Sequence, residues 1–148
     1  MPLRDFILGP RRTDLRPHEI VTAIELPVPH GPLGAKFGRL TRRRGVDLAT
    51  LSLCCAVGPR RTRFAFGAVA PRPFVVDDDS GVLADPGADE DLRERTLREM
   101  TDAARPITDL RAGAEYRQAM LLVLSRRALA AALVLRDATT DLHDGAAI

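Results

Sequence analysis

Ten consecutive residues without a charge, Leu48 to Val57 (Leu-Ala-Thr-Leu-Ser-Leu-Cys-Cys-Ala-Val), constrain the fold more than any other stretch. So apolar a run has to be buried, either as a strand covered on both faces or as a short buried helix. Just ahead of it, Arg42, Arg43 and Arg44 place three guanidinium groups at a Gly45 turn. Neighbouring like charges repel, so this cluster calls for anionic company: a carboxylate, a phosphate or a partner subunit. Asp47 is the first carboxylate in reach. A basic hinge leading into a buried segment is a place for a ligand edge or an interface.

The rest of the composition narrows the class. A chain of 148 residues is one domain by size, and 45% hydrophobic with 28% charged residues is ordinary for a globular fold. No apolar run approaches the roughly 20 residues of a membrane helix, and no signal peptide opens the chain, so the sequence predicts a soluble cytoplasmic protein with no membrane partner. A net charge of +2, with 4% aromatic residues and no Trp, argues against nucleic acid as a partner. The adjacent Cys54 and Cys55 point to opposite faces of a strand and serve neither a disulfide nor a shared metal. His18, His30 and His143 share no ligand spacing, so no metal site is expected.

Read in order, residues 1–18 are irregular, broken by Gly9-Pro10 and Pro17. Glu19 to Leu26 alternates, with Ile20, Thr22, Ile24 and Leu26 on one face and Val21, Ala23 and Glu25 on the other, which predicts a strand stopped by Pro27. Pro29, Gly31, Pro32 and Gly34 make a reversing connection. Further strands are expected at 35–42, 48–57 and 63–69, short links favouring an antiparallel meander. Ala70-Pro71-Arg72-Pro73 ends the expected sheet, and Asp77-Asp78-Asp79-Ser80-Gly81 reads as a solvated acidic loop. Asp89 caps a helix over about 90–104, and a longer helix over about 114–135 carries Met120, Leu121, Leu124, Ala128, Ala131, Ala132 and Leu135 as its apolar stripe. Residues 136–148 read as a loose tail. The fold class is α+β: an antiparallel sheet of three or four strands within 19–70, then helices within 85–135 packed on one face.

Chemistry is conspicuous by its missing parts. No Ser-His-Asp or Cys-His set, no phosphate-binding loop and no dinucleotide fingerprint is present, and the paired carboxylates sit in a polar loop. No catalytic residue is assigned.

Four blocks nevertheless share one resemblance. Gly9 through Pro27 (Gly-Pro-Arg-Arg-Thr-Asp-Leu-Arg-Pro-His-Glu-Ile-Val-Thr-Ala-Ile-Glu-Leu-Pro), Arg39 through Ala49, Gly67 through Pro73, and Pro106 through Arg117 with Val123-Leu124 and Arg127-Ala128-Leu129 occur in compatible order and spacing. Together they resemble the C-terminal domain of the FAD-binding medium subunit of the molybdenum hydroxylases, the carbon monoxide dehydrogenase and xanthine dehydrogenase family. The family's Glu-x-x-Leu-x-Gly segment stands here as Asp78-Asp79-Ser80-Gly81-Val82-Leu83.

The resemblance implies an electron-relaying oxidoreductase subunit whose C-terminal domain closes over a flavin ring. It implies FAD as cofactor, gripped mainly by an N-terminal FAD-binding half, with an iron–sulfur subunit and a molybdopterin subunit as further partners. Val21, just after the Glu-Ile of the first block, is implied as an apolar flavin contact. Arg39, eight residues before Asp47, takes the place of a basic cofactor contact that is usually Lys. Met1 falls just ahead of the first block, so the pyrophosphate-binding half is expected to lie outside this chain, which would then not hold FAD alone. The alternative is a stand-alone interaction or scaffold domain that has lost flavin binding. Tyr116 and Arg117 are expected to tie the start of the long helix to Asp109 or Glu115.

Overall fold

A short helix α1 (Leu3–Phe6) leads into a two-stranded hairpin of β1 (Ile7–Gly9) and β2 (Arg12–Thr13), both within the stretch expected to be irregular. The structure, a computed structural model, describes residues 1–145, the last five of these by backbone alone.

The main sheet is a meander of β3 (Gly34–Leu40), β4 (Leu51–Val57), β5 (Thr62–Gly67) and β6 (Phe74–Asp78), antiparallel throughout and in chain order. The apolar run is therefore a strand. In β4, Leu51, Leu53, Cys55 and Val57 are buried while Ser52, Cys54 and Ala56 are half-buried on the other face. Its hinge is a true turn, with Gly45 at φ 96°, a conformation that L side chains avoid.

Helix α2 (Glu90–Thr101) begins at Asp89, whose side chain accepts a bond from the Leu92 amide at 2.9 Å, the capping the sequence predicts. Helix α3 (Ala114–Gly145) lies across β3 and β4, and α2 packs against α3 and β6. The core between these layers is built from Leu51, Leu53 and Phe64 of the sheet and Leu97, Leu121 and Ala132 of the helices. Phe64 and Phe66 stack at 5.6 Å, and the Phe74 ring adds to the row at 5.4 Å from Phe66.

Four expectations are corrected. Glu19–Leu26 forms no strand: it is exposed, and among the described residues no backbone bond ties 20–33 to the sheet. A strand needs a neighbour to satisfy its N–H and C=O groups, and here alternation alone has none. Second, the sheet does not end at Pro73. Residues 74–78 return as β6, because Phe74 and Val76 pack inward while Asp77 meets two arginines of the preceding turn and strand. Third, Asp78 is buried rather than solvated: it accepts bonds from Ser80 N (2.9 Å), Ser80 Oγ (2.5 Å) and Leu83 N (3.0 Å), which organises the turn at Gly81. Fourth, helix α3 continues past 135 through most of the expected tail, with Arg136 anchored on the Ala84 carbonyl at 2.5 Å. Residues 146–148 of that tail lie outside the described residues.

By length and composition α3 could cross a bilayer. Its inner line, however, packs on the sheet and carries the buried Arg117, Ser125 and Arg136, which is the pattern of a core helix.

Candidate functional site

The helices cover only one face of the sheet, so strand alternation decides what the other face displays. Gly34 and Gly38 face α3: a Cβ on the first would fall 1.8 Å from the Ala132 carbonyl oxygen, and one on the second 3.1 Å from Leu124 Cγ. Ala35, Phe37 and Arg39 must therefore point away from the helices. Register carries that face across the sheet in rows: Ala35, Ala56, Arg63 and Asp77; then Phe37, Cys54, Ala65 and Val75; then Arg39, Ser52 and Gly67.

This open face has a floor and two rims. Every residue of β4 and of the C-terminal half of β5 that contributes to it is small: Ser52, Cys54, Ala56, Ala65 and Gly67. Gly67 keeps the floor level, since a Cβ there would meet Ser52 Oγ at 2.7 Å. On one rim stand Arg39 and the 63% exposed Phe37; on the other stands Val75. Three strands span roughly 10 Å, wide enough for a fused planar ring to lie flat. Burial pushes the thiols of Cys54 and, to about 12, of Cys55 upward, so both stay neutral and behave as small apolar groups.

Charge on this face is unevenly committed. Arg63 donates to Asp77 through Nε (2.6 Å) and Nη2 (3.0 Å), and Arg61 bridges Asp77 (2.7 Å) and Asp79 (2.8 Å). The bond from Arg63 in turn holds the Asp77 carboxyl below its usual range against the opposing effect of burial. The Arg39 side chain has no ion pair or hydrogen bond among the described residues, so its charge is available to a ligand. The sequence-predicted pair is split by the fold. Arg39 has a fixed register opposite Ser52, whereas Val21 is 56% exposed in the segment outside the sheet and is not joined to β3.

The basic hinge finds the carboxylate that the sequence suggests. Arg42 contacts Asp47 through its amide (3.2 Å) and Nη2 (3.5 Å), and Leu48 N donates to the same carboxyl at 2.9 Å. Burial alone would push Asp47 up, but these bonds together hold it below its usual range. Arg42, Asp47 and Leu48 share a shallow cleft of about 300 Å³ with Asp109, Leu110 and Arg111. Beneath it, Arg117, only 3% exposed, donates to Asp109 Oδ1 (2.5 Å) and to the Ala68 carbonyl (3.0 Å), the structural tie expected of it. Tyr116 is exposed instead of tied in.

The ends of the helices are closed to phosphate. Asp89 fills the N-terminus of α2, Glu90 and Asp91 follow in its first turn, and Glu115 occupies the first turn of α3. Carboxylates there take the place and repel the charge of an anion. No cluster of metal-ligating side chains is found among the described residues. The open face thus suits the planar, apolar part of a ligand, and neither long helix offers its N-terminus to a pyrophosphate. Sequence reasoning missed the floor, although its signal was there: small residues at every second position of β4 and at matching positions of β5.

Comparison with known proteins agrees with this architecture. The CO dehydrogenase flavoprotein C-terminal domain matches residues 37–132. The carbon monoxide dehydrogenase medium chain of Afipia carboxidovorans is 30% identical over 131 residues, 85% of this chain and 45% of that protein. The glyceraldehyde dehydrogenase medium chain of Sulfolobus acidocaldarius is 28% identical over 129 residues, 84% of this chain and 45% of that protein. The solved carbon monoxide dehydrogenase of Hydrogenophaga pseudoflava superposes with a TM-score of 0.74 at 25% identity, covering 89% of this chain and 47% of that one. The chain spans about half the length of the relatives it matches.

Proposed function

The chain belongs to the CO dehydrogenase flavoprotein C-terminal domain family, and from that premise we propose that it forms one wall of a flavin pocket in a molybdenum hydroxylase-type oxidoreductase. The observation that carries this reading is the open sheet face: a level floor of Ser52, Cys54, Ala56, Ala65 and Gly67, rimmed by Phe37 and an uncommitted Arg39. FAD, when bound, supplies two-electron acceptor and donor chemistry. The residues of this chain would do the rest. The floor excludes water from one side of the ring, Phe37 borders it, and Arg39 supplies a fixed positive charge that favours the reduced state. Val21, carried on its exposed segment, is assigned to the same ring.

The pyrophosphate has no place among these residues, so the reading requires an N-terminal FAD-binding half to hold it. An iron–sulfur subunit and a molybdopterin subunit complete the proposed assembly, which works in the cytoplasm and moves electrons from the iron–sulfur clusters to FAD. The rival reading, a scaffold domain without flavin, draws on the same exposed Phe37 as a plain contact surface.

The deciding experiment reconstitutes the full chain with an N-terminal FAD-binding half and measures the flavin midpoint potential. In a partly exposed site the Arg39 charge is worth on the order of 1 kcal/mol, so Arg39→Ala lowers the potential by roughly 20 mV. Arg39→Lys restores most of it. An unchanged potential removes Arg39 from the flavin site, and halves that never assemble favour the scaffold.

A further inference from the structure

The three rows of the open face differ in how their polar groups are committed. At one end, Arg63 donates twice to Asp77, at 2.6 and 3.0 Å, and Arg61 donates to the same carboxyl at 2.7 Å. The other members of that row, Ala35 and Ala56, are apolar. The middle row, Phe37, Cys54, Ala65 and Val75, holds apolar side chains and a neutral thiol. The remaining row is Arg39, Ser52 and Gly67, and here the polar groups are free. Neither the Arg39 guanidinium nor the Ser52 hydroxyl makes an ion pair or hydrogen bond among the described residues.

Ser52 is the anomaly on this floor. A half-buried hydroxyl left unpaired among apolar neighbours costs free energy that alanine, the residue at 56 and 65, avoids. Its two register partners keep it accessible. On one side Gly67 has no side chain, and a Cβ there would stand 2.7 Å from Ser52 Oγ. On the other side is Arg39, and cross-strand partners lie about 5 Å apart at Cβ, so hydroxyl and guanidinium stand side by side at one end of the floor. The two are complementary in kind: arginine only donates, whereas a serine oxygen also accepts. A flat ring on this face thus meets a closed end, an apolar middle and an end with unmet hydrogen bonds. Successive rows are two residues, roughly 7 Å, apart along the strands, which is the scale of fused rings. An isoalloxazine is polarised in the same way, with a dimethylbenzene at one end and an imide N–H between two carbonyls at the other.

We propose that Ser52 orients the flavin on the sheet, its Oγ accepting the imide N–H of the ring while Arg39 donates to the neighbouring carbonyl. This deepens the proposed function and rests on its claim that a flavin lies on this face. The assignment gives the ring a direction: its pyrimidine edge lies at the Arg39–Ser52 row, and its apolar end points along the strands past Cys54 and Ala65 toward Ala56. Arg63 and Asp77 at that far end are already paired and offer the ring no competing bonds. The two residues divide the work. Arg39 supplies charge, whereas Ser52 supplies an acceptor and adds no charge.

The test assembles the full chain with the portion of the Afipia carboxidovorans medium chain that it does not match, loaded with FAD isotope-labelled at the imide nitrogen. NMR follows the imide proton in that portion alone, in the assembly, and in assemblies made with Ser52→Ala and Ser52→Thr. Adding the wild-type chain moves the proton downfield and slows its exchange with water. Ser52→Ala returns it toward its position in the portion alone, and Ser52→Thr, which keeps the hydroxyl, does not. In competition, FAD methylated at the imide nitrogen binds the wild-type assembly roughly three- to tenfold more weakly than FAD, the worth of one hydrogen bond, and Ser52→Ala abolishes the difference. Because the Ser52 side chain makes no bond in the fold, the melting temperature of the Ser52→Ala chain stays at the wild-type value. Three results overturn the role of Ser52 and leave the flavin wall standing: an imide signal shifted by the chain but indifferent to Ser52→Ala, a preference for unmethylated FAD that survives Ser52→Ala, or a Ser52→Thr assembly that behaves as Ser52→Ala. An imide signal that assembly does not move, or halves that fail to assemble, overturns both readings.

Discussion

Arg117 shows how much one buried side chain can organise. It reaches from the first turn of α3 to Asp109 and to the Ala68 carbonyl, joining the α2–α3 loop to the end of β5. Ala68 itself sits at φ 63°, so the carbonyl that Arg117 holds belongs to a residue in an unfavourable backbone region. The Arg111 amide above all, then the Arg117 guanidinium and the Ala112 amide, lower the Asp109 carboxyl from 3.8 to about 2 against the effect of burial. A carboxyl depressed in the folded state stabilises the fold above its unfolded pKa and ceases to do so as pH falls through the folded one. The window is therefore between 3.8 and about 2. Asp109→Asn is less stable than wild type at neutral pH and loses less on acidification through that window, as urea midpoints at stepped pH would record. Arg117→Ala removes the buried guanidinium from Asp109 and from the Ala68 carbonyl and lowers the urea midpoint at neutral pH. The sequence pointed to this tie because Asp109 and Arg117 lie only eight residues apart across a helix start. It was silent on Arg61, Arg63 and Asp77, which meet only because β5 and β6 form a hairpin.

At the scale of an element, α3 is the instructive case. Its apolar stripe predicts Met120, Leu124, Ala131 and Leu135 facing inward beside Leu121, Ala128 and Ala132. The buried line is Arg117, Leu121, Ser125, Ala128, Leu129, Ala132 and Arg136, with Met120 and Leu124 half-buried at its side. The helix is rotated because its small residues, not its large ones, let it approach β3, where Gly34 and Gly38 receive it. Two substitutions measure this. Leu121→Ala, at a fully buried position, costs about 3 kcal/mol, whereas Leu124→Ala, half-buried over Gly38, costs about 1 kcal/mol. Equal losses in urea unfolding would mean the helix is phased as the hydrophobic pattern has it. Gly34→Ala drives a methyl into the Ala132 carbonyl and the Arg136 amide of α3, both backbone atoms that cannot step aside, and costs about 3 kcal/mol. Gly38→Ala meets only the movable end of Leu124 and is the milder change in the same thermal-melting series.

For the whole molecule, the asymmetry between the two faces of the sheet matters most. One face is sealed by α2 and α3; the other presents small residues, Phe37 and Arg39 to whatever the chain meets. Both long helices begin in carboxylates, so neither offers its N-terminus to a pyrophosphate. Purified alone, it is expected to be colourless and to show no saturable FAD binding in equilibrium dialysis at micromolar flavin. Stoichiometric flavin on the isolated chain would mean that a phosphate site forms elsewhere, and that an N-terminal FAD-binding half is unnecessary.

The amino-acid sequence by itself determined the features governed by neighbours along the chain. The uncharged run became β4, the turns at Gly45 and Gly58 set a meander in chain order, Asp89 capped α2, and four spaced blocks pointed to the family. Tertiary structure alone decided the inward face of α3, the return of Phe74–Asp78 as a strand, the pairing of Asp77 with two arginines, and the isolation of Glu19–Leu26. The division has a single physical cause. Turns, caps and periodicity are satisfied within a few residues, whereas a strand needs an edge, a buried arginine needs a distant oxygen, and a helix turns toward the surface that lets it come closest.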